Sequence, residues 1–459
     1  MNLLLLAAFW GVLMMFISLS GRSHATIRLI AQVGMGLLFL STLAEMQGFL
    51  IYDLKAAEMF AMDRYGLVML SVLSGCGFLY FLLSGRDMAN VGSDYSEYFS
   101  LIFFIFCGFV LVLSFTSLLM LFLGIEIVTI PLYILTGSDK RNLKSNEASL
   151  KYFLLGAFST GLMLMGIALI YGARGTFSTM EVVGASGIPT RLLLGGLFLM
   201  FFSLAFKVSA APFHFWTPDV YDGAPTVFTS FMATLVKVAA FAGFLRLFDH
   251  AFGSLKTTWQ IWAGAVAVLT LIIGNITAVY QQSVKRLLAY SSIAQAGFMM
   301  LGLYGLGDGA REGMVLYAAS YSLATIAIFS VLTRMNDYTI EGFNGLAKKD
   351  PWIAGILAVC LLSLAGIPLT AGFLAKFYML QAALSAKYGL VVVVIAVLMA
   401  AVSVYYYFRV LQAMYFHAAE EGAQFPAFST GFKRVLTLIA ILILVLGIQP
   451  GLLLHYLYF

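Results

Sequence analysis

One glutamate and three lysines stand in stretches that have no other charge nearby. Lys237 sits inside Ala233-Thr234-Leu235-Val236-Lys237-Val238-Ala239-Ala240-Phe241. About ten residues flank it on either side, roughly 15 Å of helix in each direction, too far for its ammonium to snorkel to water. Glu126 is equally central in Leu121-Phe122-Leu123-Gly124-Ile125-Glu126-Ile127-Val128. Lys207 ends a long apolar run five residues before Pro212, and Lys376 stands eight residues after Pro368. Each charge costs about 2.5–3.5 kcal/mol at mid-bilayer unless paired or hydrated, so an ionisable residue at that depth points to transport. One such residue alone is as readily a static ion pair that pins two helices. Four, on four separate helices, are uneconomical pins, because Asn or Ser would serve more cheaply. Lysine suits proton transfer: burial weakens its hold on the proton and a nearby carboxylate strengthens it. A change in pair distance then loads or releases the proton.

Helix breaks accompany two of these lysines. Lys207-Val208-Ser209-Ala210-Ala211-Pro212 and Leu364-Ala365-Gly366-Ile367-Pro368-Leu369-Thr370 each place a proline beside an intramembrane lysine. Either break alone is as readily an ordinary proline kink. Two breaks, each paired with a lysine, suggest two halves of related architecture with an ion path at the discontinuities. No residue-by-residue identity between the halves accompanies them.

Other residues carry weaker signals. Lys151, near the start of its span, is an interfacial anchor or a lateral relay. Lys285-Arg286 opens another span and reads first as an anchor on the positive face, with Lys285 alternatively feeding an access path. His214, just past Pro212, titrates near neutrality by type and has a capping or packing role as its alternative. Tyr405-Tyr406-Tyr407 reads as an interfacial aromatic belt. Cys76, Cys107 and Cys360 are isolated, and the five histidines lie at or near segment ends. No disulfide framework, haem pair, iron–sulfur site or other metal site is offered, so no cofactor is expected on this chain.

The elements that position these groups follow from composition. The chain has 459 residues, 62% hydrophobic and 10% charged, and its mean hydropathy is +0.97. A water-soluble globule is about half apolar and a quarter charged, so this is an integral membrane protein. Continuous apolar runs rather than alternating strands require an all-α polytopic bundle. Runs fall near 3–19, 26–44, 64–83, 99–113, 117–136, 147–171, 192–211, 225–248, 259–280, 284–304, 311–334, 351–386, 388–415 and 433–455, about fourteen spans. Residues 98–136 are long enough for two helices and should reverse at Ser114-Phe115-Thr116-Ser117; residues 351–386 should form one span broken at Gly366-Ile367-Pro368. Met1-Asn2 leads straight into leucines, which argues against a signal peptide. With the N-terminus outside, inner loops hold Arg22, Arg28, Arg86, Lys140, Arg141, Lys144, Lys285, Arg286, Arg334, Lys348, Lys349, Lys433 and Arg434. Outer loops hold Lys55, Arg64, Arg174, Arg191, Arg246, Lys256, Arg311 and Lys387. This is a positive-inside bias. The net charge of +5 and the lack of a basic block give no sign of nucleic-acid binding.

At these same residues the chain resembles the antiporter-like membrane subunits of respiratory complex I. The resemblance spans roughly 95–415 and rests on five blocks: Gly124 to Tyr133 around Glu126; Glu147-Ala148-Ser149-Leu150-Lys151-Tyr152-Phe153-Leu154-Leu155-Gly156-Ala157-Phe158; Phe206 to Thr226, containing Pro212-Phe213-His214-Phe215-Trp216-Thr217-Pro218; Lys285 to Gly297; and Gly366 to Phe377. It implies fourteen helices in two inverted five-helix repeats with broken seventh and twelfth helices. Its domains would be 1–90 (helices 1–3), 91–250 (first repeat), 251–416 (second repeat) and 417–459 (helix 14). It further implies proton translocation in which Glu126 pairs with Lys207, Lys237 is the central lysine and Lys376 the exit residue. NADH, flavin, iron–sulfur clusters and quinone would then belong to partner subunits of an energy-transducing membrane, the bacterial plasma membrane being the expected one. Among the paralogues, the block at 147–158, a lysine at 376 and the short C-terminus look like subunit N. A multi-subunit sodium/proton antiporter or a membrane-bound hydrogenase shares the same constellation, and a non-transporting scaffold is the remaining alternative. Residues 1–90 resemble the family least.

Overall fold

The structure is a computed structural model in which residues 2–49, 59–92, 94–184, 190–419 and 425–458 are described; Lys55, counted above among the outer loops, lies outside them. The described residues contain no strand, only helices and isolated bridges. In chain order the principal helices are α1 (Asn2–Ile17), α2 (His24–Met46), α3 (Arg64–Ser84), α4 (Tyr95–Ser114), α5 (Leu118–Thr136), α6 (Leu143–Arg174), α7 (Arg191–Lys207) and α8 (Trp216–Gly223). There follow α9 (Thr226–His250), α10 (Lys256–Val279), α11 (Val284–Gly305), α12 (Asp308–Leu332), α13 (Pro351–Ala365), α14 (Ala371–Leu384), α15 (Gly389–Phe416) and α16 (Thr430–Ile448). Twelve helices among the described residues are long and apolar enough to cross a membrane. Two further crossings are assembled from pieces, α7 with α8 and α13 with α14, which brings the crossings among the described residues to fourteen.

Both breaks fall where proline and glycine place them. α13 stops at Gly366, whose φ of 84° is left-handed and whose N–H closes on Leu362 and Ser363 carbonyls at 3.0 Å each, a C-terminal cap that glycine makes without steric cost. Pro368 has no N–H with which to continue the helix, and α14 restarts at Ala371. There the two halves overlap closely: a Cβ on Gly372 would lie 1.9 Å from the Ser363 carbonyl oxygen. α7 stops at Lys207, Ser209 takes a φ of 63°, and Pro212 precedes the restart at Trp216. The reversal at Ser114–Ser117 is also observed, with Phe115 bridged to Phe60 and Ser117 to Ser178.

Burial separates centre from rim. The apolar windows of α12, α11 and α9 are 100%, 94% and 89% buried, whereas those of α1, α15 and α16 are only 28% buried and face the surroundings. Within 91–250 the chain crosses five times and then five times again within 251–416. Because five is odd, α4 and α10 start from opposite ends of the bundle, so the second set is inverted relative to the first, with a broken crossing fourth in each.

Arg246, Tyr406 and Tyr407 differ here from the sequence expectation. Arg246, assigned to an outer loop, is 4% exposed at the end of α9: it pairs with Asp63 at 2.6 Å and donates to the Ala61 and Phe115 carbonyls at 2.9 and 3.3 Å. A buried guanidinium needs its donors satisfied, and here the segment entering α3 and the turn between α4 and α5 supply the partners. Tyr406 and Tyr407 are fully buried, leaving only Tyr405 at the surface as a belt residue. Tyr406 donates to Asn275 at 3.1 Å, and Tyr407 meets Ser291 and Gln295, because a phenol inside a bundle must find a polar partner.

Candidate functional site

α5, α6 and α7 bring the first pair together through a third residue. Thr160, on α6, donates to Glu126 Oε1 at 2.8 Å and accepts from Lys207 Nζ at 3.1 Å. Its hydroxyl also lies 3.0 Å from the Gly156 carbonyl. A hydroxyl has one proton, so Thr160 points it either at Glu126 or at its own helix. Thr129 adds a longer contact to Glu126 at 3.4 Å, and Lys207 reaches the Gly156 carbonyl at 3.5 Å. Glu126 and Lys207 thus face one another across a threonine rather than in a direct ion pair. Lys207 borders a cavity of about 30 Å³ that Val236, Ala239 and Ala240 of α9 also line; a space of that size admits a water molecule.

Lys237 is held by dipoles. Immediately before it, Met232–Val236 form a π turn, the wider turn that frees carbonyls within a helix. Tyr321 donates to the Ala233 carbonyl at 2.9 Å and Tyr221 to that of Met232 at 3.4 Å. Lys237 is 2% exposed. Its Nζ donates to the Ser292 carbonyl at 3.1 Å and to the Ser292 hydroxyl, and it lies 5.7 Å from the centre of the Tyr221 ring.

One turn along α11 from Ser292, Gln295 continues the line. Its amide donates to the Leu364 carbonyl at 3.0 Å and to Tyr407 at 3.1 Å, while its oxygen accepts from Tyr317. Leu364 is the penultimate residue of α13, the first half of the broken twelfth crossing. The same carbonyl accepts from Lys376 Nζ at 2.8 Å, and that of Ala365 at 3.0 Å, with the Phe298 ring 4.7 Å away. Gly366 is required here for a second reason, since a Cβ would lie 2.9 Å from Lys376 Cδ. The unfinished end of α13 therefore supplies the carbonyls that solvate Lys376, as half-helix ends do for cations.

Residues 115–403 match the profile of the family described as NADH:quinone oxidoreductase/Mrp antiporter, transmembrane. The chain is 42% identical over 400 residues to NADH-quinone oxidoreductase subunit N of Cytophaga hutchinsonii, covering 86% of each. It belongs to the subunit N family of NADH-quinone oxidoreductase. Its fold superposes on a chain of respiratory complex I from Thermus thermophilus with a TM-score of 0.84 at 32% identity, over 99% of this chain and 98% of that one. A chain of the Mrp complex from Dietzia, at 20% identity and a TM-score of 0.86 over 99% and 95%, shares the fold.

In this subunit N relative the secondary residues divide. Lys285 is not an interfacial anchor: it is 4% exposed and its ammonium caps the end of α8, donating to the Asp222 and Ala224 carbonyls at 2.8 and 2.7 Å. Lys151 is half-exposed between Glu147 at 2.7 Å and Asp219 at 3.0 Å; Asp219 also meets Arg286 at 3.3 Å. His214 is 7% exposed in the break between α7 and α8, and its Nδ1 has no hydrogen-bond partner among the described residues. None of the three bonds directly to Glu126, Lys207, Lys237 or Lys376. Thr160, Ser292, Gln295 and Tyr317 join the line without having been singled out from sequence, and Tyr407 joins it although read there as a belt residue. Gln295, an amide inside a membrane span, was the one among them with a visible signal.

Proposed function

We propose that this chain carries protons across the membrane as a subunit of NADH-quinone oxidoreductase, with quinone reduction on partner chains as the driving reaction. Glu126, Lys207, Lys237 and Lys376 carry the path; Lys151, His214 and Lys285 belong to its approaches. NADH, flavin, iron–sulfur clusters and quinone reside on the other membrane and peripheral subunits of the complex, in a bacterial plasma membrane. The basic end of the bundle faces inward, and residues 91–250 and 251–416 form the two functional halves beside 1–90 and 417–459.

The observation that carries this reading is a line of buried polar groups in two stretches, with no direct polar contact between Lys207 and Lys237 among the described residues. Glu126 connects to Lys207 through Thr160, and Lys237 to Lys376 through Ser292, one turn of α11, Gln295 and the Leu364 carbonyl. A cavity joins Lys207 to the flank of α9. A static scaffold has no need of a polar line that crosses between helices at mid-depth, where each polar group carries a burial cost. The lysines exchange protons with their neighbours when the field around them changes. If Glu126 approaches, the Lys207 ammonium is favoured; if it withdraws, the proton passes inward towards Lys237.

Glu126→Gln in the assembled complex tests the reading, since the amide keeps the shape and removes the charge. Proton uptake in proteoliposomes should fall while assembly persists, and Glu126→Asp should retain more activity than the amide. Wild-type pumping by Glu126→Gln overturns the switch. A sodium/proton antiporter role instead predicts sodium-dependent transport with no link to NADH oxidation.

A further inference from the structure

At the basic end of the bundle, lined by none of the residues of the polar line, lies a cavity of about 960 Å³. Its walls are the first turns of α2, the turn from α3 into α4, and the first turn of α16. Within it Arg334 and Asp87 satisfy one another: the guanidinium reaches both carboxylate oxygens at 3.1–3.3 Å, donates to the Leu83 carbonyl at 3.1 Å and lies 3.6 Å from the Phe432 ring centre. That pair contributes no net charge.

Two further arginines face the same space. Arg28, one turn into α2, and Arg86, in the turn after α3, have no hydrogen bond or ion pair among the described residues. Arg28 rests against Gly85, where an added Cβ would lie 3.5 Å from its Cγ. His24 sits on the Tyr95 ring at 4.6 Å between centres. The first turn of α16, capped by Ser429, adds the positive end of a nineteen-residue helix. The cavity therefore has a surplus of two fixed positive charges and no uncommitted carboxylate among the described residues.

We propose that this cavity binds the phosphodiester headgroup of an anionic phospholipid of the surrounding bilayer. Basic pockets between transmembrane helices at the cytoplasmic face take such headgroups, and two arginines match one lipid phosphate with charge to spare. A lipid rather than a free phosphate is specified by what adjoins the charges. Leu29, Val33 and Leu37 of α2, which begin one residue beyond Arg28, are all more than 40% exposed. They lead from the arginines along the membrane-facing side, where acyl chains would lie. The inference is independent of the proton path.

The test uses the intact complex, washed in detergent and returned to phosphatidylcholine vesicles doped with a photoreactive phosphatidylglycerol. Cross-links should map to α2 and α16. Each basic residue near a membrane surface is worth about fivefold in binding to an anionic lipid, so Arg86→Gln, at an exposed position, should lower capture about fivefold. Arg28→Gln/Arg86→Gln should lower it about 25-fold, and Arg28→Lys/Arg86→Lys, which keeps both charges, should retain most of it. Wild-type capture by the double glutamine variant overturns the proposal. So does the absence of cross-links at these helices in the wild-type complex, which would mean that a neighbouring subunit fills the cavity. Full displacement by inorganic phosphate, against a chloride control of equal ionic strength, identifies a free-anion site and overturns the lipid assignment.

Discussion

Thr160→Val isolates the connection between Glu126 and Lys207 while leaving both charges in place. Valine is close to threonine in shape and exchanges only the hydroxyl for a methyl. That hydroxyl is 2.8 Å from the carboxylate and 3.1 Å from the ammonium. Without it, Glu126 retains a side-chain contact with Thr129 at 3.4 Å and Lys207 one with the Gly156 carbonyl at 3.5 Å, both at the limit of hydrogen bonding. A hydrogen bond to a charged group contributes about 1.5–3 kcal/mol. Two are lost, and water entering the site recovers part of this, leaving the pair weaker by about 1.5–3 kcal/mol. At 1.36 kcal/mol per factor of ten, proton passage should slow by about 10- to 160-fold. The assay is initial proton uptake per NADH oxidised by proteoliposomes, with assembly followed on native gels and thermal stability measured in parallel. Thr160→Ser keeps the hydroxyl and should pump near the wild-type rate. Wild-type pumping by an assembled Thr160→Val complex, or a loss confined to thermal stability, refutes the bridging role.

Substitutions at three other positions probe the rest of the line. Lys237→Ala should assemble, since removing a buried charge relieves its desolvation, but should lower pumping more than about tenfold; proteoliposome uptake reads the result. Gln295→Leu removes the amide shared between Tyr317, Tyr407 and the Leu364 carbonyl. It should slow pumping while leaving the Lys237 end intact, and a Gln295→Glu variant should differ from it in pH profile. Lys376→Ala should block release on the far side. Lys376→Arg should not rescue it, because a guanidinium keeps its proton at any working pH; equal pumping by both variants and the wild type would contradict this.

What the sequence disclosed and what it concealed divide along physical lines. The four charged residues were visible because charge at that depth is expensive, and the two breaks because proline cannot continue a helix. Thr160 was not, since a threonine within a helix ordinarily bonds back to the carbonyl four residues earlier, and Thr160 does that too. The π turn at Met232–Val236 contains neither proline nor glycine, so only the three-dimensional neighbours Tyr221 and Tyr321 reveal it. Tyr406 and Tyr407 were misassigned because α15 is apolar almost all round, and its sequence does not say which side meets α11. Arg246 and Lys285 were taken for surface residues because both stand near span ends. There the bundle folds loops and half-helices over them, and burial no longer follows position along the span.

The three lysines are not equivalent, and the difference constrains how such a path could be driven. Lys207 alone has a carboxylate within one intervening residue; Lys237 and Lys376 are surrounded by hydroxyls, aromatic rings and carbonyl ends, with no carboxylate in ion-pair range among the described residues. Carbonyl ends and rings are fixed by the backbone and by packing, so the field they impose changes little unless helices move. Glu126 is on a side chain with rotamers of its own, and the Thr160 hydroxyl can turn between Glu126 and the Gly156 carbonyl without any helix moving. The low-cost motion is thus concentrated at the Glu126 end, and a conformational signal should enter there. Lys237 and Lys376 would then respond to the charge state of Lys207 rather than to rearrangements of their own. On this argument Glu126→Gln and Thr160→Val should impair the same step, and the double variant should be little worse than the slower single one. Multiplication of the two effects would place them on separate steps and refute the single point of entry.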